Sequence, residues 1–344
     1  MNVIFVEPFF PANQRRFVLA LASVGANVIG VGEYDEAHFD DELRSALGGY
    51  YRVGSVVDVD AMTEAVRVIQ SKVYVDRLEA VIEAHTLTAA EVREATGIPG
   101  TSVRTTWLCR DKPSMKQALR QAGVPTAAST GAETAEQVRD FAAWNGYPLI
   151  LKPRAAAGAQ DTFRVDSDTD LERALEVFAA HGSLSVAVEE FVEGHEGFYD
   201  TITVGGHVAY DWATHYYPNV LEAMRTRWIS PQFITTNRID DSPFYREVRD
   251  LGRKVVATLG IDTSATHMEW FYGPKGLRFS EIGCRPPGVG CWDLYAASND
   301  TDVYREWAHA IVHGSVSAPQ RRPYSAGLVA IRPDADGTIQ GYSG

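Results

Sequence analysis

The sequence predicts an α/β protein, with an open parallel sheet in roughly the first hundred residues and strand-rich α+β structure after it. Three observations carry this. Short apolar runs alternate with helical periodicity up to residue 82, the pattern of parallel strands joined by helices. Ile98-Pro99-Gly100 then interrupts it as a domain boundary would. Beyond residue 186, hairpin signals appear at Gly205-Gly206 and Pro274-Lys275-Gly276 between apolar runs.

Taken in order, residues 3–6 form a strand, 14–23 a helix followed by Gly25, 28–31 a strand and 61–69 a helix. Residues 78–82 form a strand that runs into Glu83-Ala84-His85. No G-x-G-x-x-G follows the first strand, so a dinucleotide fold is weakly supported. Residues 114–122 form a helix stopped by Gly123 and Val124-Pro125, and 135–145 a second helix. A strand over 147–151 ends on Lys152, 163–165 returns beside it, and 171–180 is helical. Residues 186–191 open the strand-rich region, and 199–204 pairs with 207–212. Residues 219–237 read as irregular, 244–259 as a helix, and a last hairpin spans 267–285.

The net charge of −13 argues against a general nucleic-acid or anionic-membrane surface, though not against a small phosphate ligand, which needs only local positive charge. Lysine is scarce, six against 26 arginines, and three of the six are Lys112, Lys116 and Lys152. Cys109, Cys284 and Cys291 form no C-x-x-C pair and no zinc spacing. An odd, low cysteine count, no signal peptide and no membrane-length apolar run lead to the expectation of a cytoplasmic protein.

The last hairpin carries the most specific chemistry. With Pro274-Lys275-Gly276 as a three-residue loop, Glu269 stands directly opposite Glu281, on a face shared with Phe271, Leu277 and Phe279. Like charges across a ladder repel, and a bound Mg²⁺, which takes one or two carboxylates and completes its shell with water and phosphate, resolves the conflict. The alternative is a solvent-facing hairpin with two unrelated glutamates. Upstream, Lys152 ends a buried strand and precedes a small-residue loop, Ala155-Ala-Ala-Gly158-Ala159-Gln160. There a lysine neutralises phosphate oxygens as a point charge and small residues admit backbone N–H groups; otherwise Lys152 lies along a sheet edge and the alanines are helical. The stretch Val188 to Glu196 offers an extended backbone and Glu196, or else an acidic surface loop.

The order of these pieces, Asp111-Lys112, Lys152, Glu189 to Glu196, then Glu269, Glu281 and Arg285, resembles the ATP-grasp superfamily over residues 110–290. It is similar in particular to ADP-forming carboxylate–amine ligases, the relatives of D-alanine–D-alanine ligase and the L-amino-acid ligases. The opening Glu7-Pro-Phe-Phe-Pro-Ala-Asn-Gln14 also looks like that group. The resemblance implies an N-terminal domain over 1–105, a central subdomain over 106–186 and a C-terminal subdomain over 187–344, the last two sandwiching ATP. It implies that Lys112 and Lys152 contact the phosphates, with Gly158 in the phosphate loop. Glu189 would bind the adenine amino group, the backbone of Phe191 and Val192 the ring edge, and Glu196 the ribose. Glu269 and Glu281 would hold Mg²⁺ (or Mn²⁺), and Arg285 would stabilise the reacting carboxylate or acyl phosphate. The substrates it implies are a small carboxylic acid and an amine, with no nucleic acid or membrane partner. Related enzymes are often dimers, so a homodimer is among the options. Relatives commonly continue past residue 344, so a short further subdomain is expected.

Three positions depart from the family pattern. Gly283 stands where Asn is frequent, which puts part of a second metal's coordination in question. The phosphate loop is alanine-rich with Asp161 beside it, so Asp161 is expected to turn away or to pair with Arg164. His267 stands where D-alanine–D-alanine ligase carries Arg; it either donates to a developing oxyanion or is a hydrogen-bonded structural residue. Between the hairpins, Tyr216, Met224 and Trp228 are candidates for an apolar side-chain site and Arg225 and Arg227 for gripping a carboxylate or phosphate, against the alternative of core aromatics and surface arginines. Pro286-Pro287-Gly288-Val289-Gly290 would form the floor after Arg285. The chemistry these residue types support is phosphorylation of an acid followed by capture by an amine. Bicarbonate or thiol acceptors, and a non-catalytic ATP-binding module, are the competing readings.

Overall fold

A computed structural model describes residues 1–154, 161–180, 184–333, 335 and 337–338. The first strands, β1 (Asn2–Val6), β2 (Asn27–Gly32), β3 (Leu47–Arg52) and β4 (Arg77–Glu79), form a parallel sheet in the order β3-β2-β1-β4. Both faces of β1 are covered. Val3 and Phe5 enter one core cluster and Ile4 and Val6 another, so the run is apolar without alternation. The strand expected to reach residue 82 ends at Glu79. The sequence does not announce β3, because this edge strand, Leu47-Gly-Gly-Tyr-Tyr-Arg52, is only half buried and lacks an apolar run.

The second sheet is antiparallel, with β5 (Ser129–Ala132), β6 (Leu149–Pro153), β7 (Phe163–Val165) and β8 (Val186–Glu190) in the order β5-β8-β6-β7. Leu149, Leu151, Val186 and Val188 pack under the helices Ala135–Asn145 and Asp168–Ala180. Side chains alternate along a strand, so Ile150, Lys152 and Glu189 are left for the other face.

The third sheet orders β9 (His195–Val204), β10 (His207–Tyr217), β11 (Gln232–Thr235), β12 (Ser264–Gly273), β13 (Gly276–Gly283) and β14 (Ala326–Val329) as β13-β12-β9-β10-β11-β14. Helix Pro243–Leu259 covers one face, and helices Cys291–Asn299 and Val303–His313 cover the other. The first domain docks here. Phe17, on helix Gln14–Ser23, packs tilted or edge-on among Trp292, Tyr304 and Trp307 with ring centroids at 5.0, 4.9 and 5.2 Å. The stretch 219–237 is not irregular throughout. It contains helix Val220–Arg225 and β11, and Tyr216 belongs to β10. Among the described residues no helix is long and apolar enough to cross a membrane.

Glu269 does pair with Glu281, but by a route different from the one expected. Gly273 pairs with Gly276, so the loop is the two residues Pro274 and Lys275 rather than three. A register shift between Glu269 and Trp270 then leaves Ser280 as a bulge, and this one-residue insertion offsets the shorter loop. It also changes partners. Phe279 faces Trp270 and Leu277 faces Tyr272, both packing into the cluster with Met268. Of the three apolar residues expected on the carboxylate face, Phe271 keeps that face and lines the cleft with Glu269 and Glu281, Phe279 lines the cleft while facing Trp270, and Leu277 is not among the lining residues.

Candidate active site

Helix Lys112–Gln121 and the end of β6 are clamped by one residue. Asp111 caps the helix by accepting from the Ser114 amide at 3.2 Å, and it takes both arms of Arg154, at 2.9 and 3.1 Å. The helix start and the strand end therefore move together, and Lys112, Lys116 and Lys152 are brought to one cleft. Helical spacing of four places Lys116 one turn past Lys112 on the same face.

The cleft, about 1070 Å³, opens between the second and third sheets. Lys116 is 1% exposed, and its Nζ lies 2.6 Å from Glu189 Oε2, with Lys152 Nζ 3.1 Å from the same oxygen. Lys152 and Lys112 reach Glu281 Oε2 at 3.6 and 3.5 Å. Burial alone would push the Glu281 carboxyl up, but Lys112, Lys152 and Lys116 outweigh it and hold it at about 2. Burial pulls the Lys116 ammonium down to about 8 despite Glu189. For Lys152, burial is overcome by Glu189 and Glu281, and its ammonium is held above the ordinary range. Glu189 Oε1 is buried and has no hydrogen-bond partner among the described residues. Glu189 thus combines two lysine contacts with one unused acceptor beside the cleft.

On the facing sheet, Asp200 is 1% exposed and accepts from the Tyr295 hydroxyl and from His267 Nδ1, the latter at 2.7 Å. His267 Nε2 lies 3.7 Å from Glu269 Oε1, and the Tyr216 hydroxyl donates to the same oxygen at 3.4 Å. Burial lowers the His267 pKa, but Asp200 and Glu269 raise it further, to about 9. The imidazole thus sits between two carboxylates that favour its protonated form. Arg285 Nε lies 2.6 Å from Glu83 Oε2, a contact that joins the segment after β4 to the segment after β13. A Cβ at Gly283 would stand 3.1 Å from Glu83 Oε2, so a larger residue there requires that side-chain tip to give by a few tenths of an ångström.

Of the adenine-edge residues, Phe191 and Val192 line the cleft. The Phe191 amide already donates to Pro148 O at 3.1 Å, whereas the Val192 amide makes no hydrogen bond among the described residues. Glu196 lines the cleft too, but its Oε2 accepts from the Val220 amide at 2.7 Å, tying it to helix Val220–Arg225. Gly158 lies outside the described residues. Arg164 pairs with Asp166 at 2.9 Å and stacks over Phe191 at 4.3 Å, and Asp161 is exposed, so of the two arrangements expected for Asp161 the structure shows it turned to solvent rather than paired with Arg164. Tyr216, Met224 and Arg225 line the cleft. Arg227 is exposed and is not among its described lining residues, and Trp228, 79% exposed, does not line it either.

Three contributors, Glu83, Asp200 and Arg332, escape sequence reasoning, and Lys116, singled out by the scarcity of lysine, is given no role there. Glu83 and Asp200 act through partners far along the chain and have no signal in the sequence. Arg332 lines the cleft and donates to the Ala223 and Thr226 carbonyls, the latter at 3.2 Å, which fixes the end of helix Val220–Arg225 opposite Glu196.

Glu196 and His267 set a pH dependence. Burial, then Glu269, raises the Glu196 carboxyl to about 8 from an ordinary 4.5. Both groups hold a proton in the folded state that the unfolded chain has released, so stability is lost as pH rises through each raised value. In nucleotide-free protein, Tm is expected to fall between pH 6.5 and about 8, where the two windows overlap, and to fall less in Glu196→Gln. Calorimetry at the two pH values checks this, and a flat or rising Tm contradicts it.

Two α+β sheets closing on a lysine-lined cleft, with paired carboxylates on the far wall, define a clamp suited to a polyphosphate. Residues 117–300 match the model of the ATP-grasp domain, and the chain belongs to the ATP-grasp family. It is 25% identical over 274 residues to the L-arginine-specific L-amino acid ligase of Bacillus subtilis, covering 74% of this chain and 64% of that one. It is 26% identical over 283 residues to a formate-dependent phosphoribosylglycinamide formyltransferase of Parabacteroides distasonis, covering 80% and 67%. The chain therefore spans about two thirds of the length of these curated relatives. The crystal structure of L-amino acid ligase from Bacillus licheniformis superposes with a TM-score of 0.73 at 18% identity, over 95% of this chain and 78% of that one.

Proposed function

We propose that the chain is an ADP-forming ligase that activates a carboxylic acid with ATP and joins it to an amine. The observation that supports this best is the convergence of Lys112, Lys116 and Lys152 with the Glu269–Glu281 pair and Arg285 in one cleft. A polyphosphate entering there replaces Glu281 as the partner of Lys112 and Lys152. Glu281 is then released toward Glu269, and two carboxylates side by side are a donor set that suits a hard divalent ion. Among the described residues no group of three or more His, Cys, Asp or Glu is poised for a metal, which fits an ion completed by phosphate and water rather than by a protein cage. Glu269 and Glu281 would hold Mg²⁺, which when bound neutralises phosphate charge.

The acid's carboxylate oxygen attacks the γ-phosphorus and ADP leaves, giving an acyl phosphate. The amine nitrogen then attacks the acyl carbon and phosphate departs. Lys152 and Lys112 hold and neutralise the transferring group, while Arg285, which lines the cleft, steadies the acid and later the tetrahedral oxyanion. Pro286, Pro287 and Met224 offer the acid an apolar wall. The name of the Bacillus subtilis relative favours an amino acid as that acid, whereas the formate-dependent relative favours a smaller one.

Incubation with ATP, Mg²⁺ and a pool of acids in hydroxylamine separates the readings. The expected products are a hydroxamate and ADP. Hydroxamate with formate alone shifts the assignment to the smaller acid, tight ATP binding without turnover favours a binding module, and AMP with pyrophosphate contradicts the proposal.

A further inference from the structure

Cys109 and Cys284 are 175 residues apart in sequence, yet their Sγ atoms lie 2.9 Å apart, and both are free thiols. A disulfide requires about 2.05 Å, so closing the bond takes an approach of less than about 1 Å. The third thiol, Cys291, is buried with Trp292 in a different cluster and does not compete. Cys109 ends the helix Val103–Leu108, two residues before the Asp111 cap that starts Lys112's helix. Cys284 follows β13, between Gly283 and Arg285. The sulfur contact thus joins the turn that carries Lys112 to the strand end that carries Glu281 and Arg285. A small side cleft reaches Cys109 of the pair and is also lined by Glu83, Lys112, Glu281 and Arg285. Cys109 is 4% exposed and Cys284 only partly buried, so an external reagent meets Cys284 first and Cys109 is placed to resolve the adduct.

The geometry points to a reversible dithiol–disulfide switch at Cys109 and Cys284 that slows the adjoining nucleotide site when oxidised. The co-reactant is a low-molecular-weight disulfide such as oxidised glutathione. The Cys284 thiolate attacks one of its sulfurs, that S–S bond breaks, and one small thiolate leaves. The Cys109 thiol, its pKa pushed up by its contact with Cys284 and by burial, gives up its proton to solvent once Cys284 is capped, attacks Cys284 Sγ, breaks the mixed disulfide and releases the second small thiolate. The pair loses two electrons and two protons, and the oxidant is reduced to two thiols. Drawing the sulfurs together shifts Lys112 or Arg285 by a fraction of an ångström, in a kind of site where about 1 Å of misplacement costs about 10²-fold in rate.

The test treats the full chain with excess oxidised glutathione, counts thiols, maps cross-linked peptides by mass spectrometry, and follows ATP turnover before and after dithiothreitol. The three thiols of the chain are expected to fall to one, with a single Cys109–Cys284 link. Turnover should fall at least about tenfold, and dithiothreitol should restore both readings. Cys291→Ser responds like the wild type, whereas Cys284→Ser keeps its turnover under oxidant. Three thiols persisting in the wild type, a glutathione adduct on Cys284 that never converts to the link, or a complete link with unchanged turnover would each overturn the switch. The link is scored without nucleotide, so its failure is distinguishable from failure of the ligase reading.

Discussion

Replacing Lys152 by alanine is expected to lower turnover by about 10²–10³-fold or more while the protein stays folded. Lys152 contacts both Glu189 and Glu281, so it stands at the centre of the charge that a polyphosphate would meet. Its loss need not unfold the protein. Removing one partner of a buried pair typically costs about 3–5 kcal/mol because a charge is left alone. Here Glu189 keeps Lys116 at 2.6 Å and Glu281 keeps Lys112 at 3.5 Å, so the cost should fall below that range. Steady-state kinetics with calorimetry on the same preparation checks both halves. Turnover within a few-fold of wild type would remove Lys152 from the phosphate site.

Glu281→Gln should be comparably severe, through a different route. The change keeps shape and removes the charge that offsets three lysines and that, with Glu269, forms the only carboxylate pair facing across the hairpin among the described residues. Turnover is expected to fall about 10²-fold or more, and the Mg²⁺ concentration for half-maximal activity is expected to rise. Nucleotide affinity measured without metal should change little or increase, because Lys112 and Lys152 no longer have a carboxylate competing for them. An unchanged Mg²⁺ dependence would place the ion elsewhere.

Local chemistry was legible in the sequence, whereas long-range clamping was not. The β-α-β alternation, the lysine at the end of β6 and the two opposed glutamates all follow from residue type and spacing. The hairpin shows the limit of that reasoning. Its loop is one residue shorter than Pro274-Lys275-Gly276 suggests, and a bulge at Ser280 restores the pairing of Glu269 with Glu281. Turn chemistry alone does not reveal a compensating insertion further along the strand. The stretch after Asn219 reads as irregular because its order comes from outside, from Glu196 at one end and Arg332 at the other. Glu83 is invisible for the same reason, since its partner Arg285 lies 202 residues away. Trp228 shows the opposite error, an aromatic residue in the right segment that faces solvent.

The most direct test is a crystal structure with a non-hydrolysable ATP analogue and Mg²⁺. The account predicts phosphate oxygens within ion-pair reach of Lys112 and Lys152, and a metal shared by Glu269, Glu281 and the terminal phosphates. A triphosphate seated away from these side chains, with Lys152 still paired to Glu189 and Glu281, would contradict it.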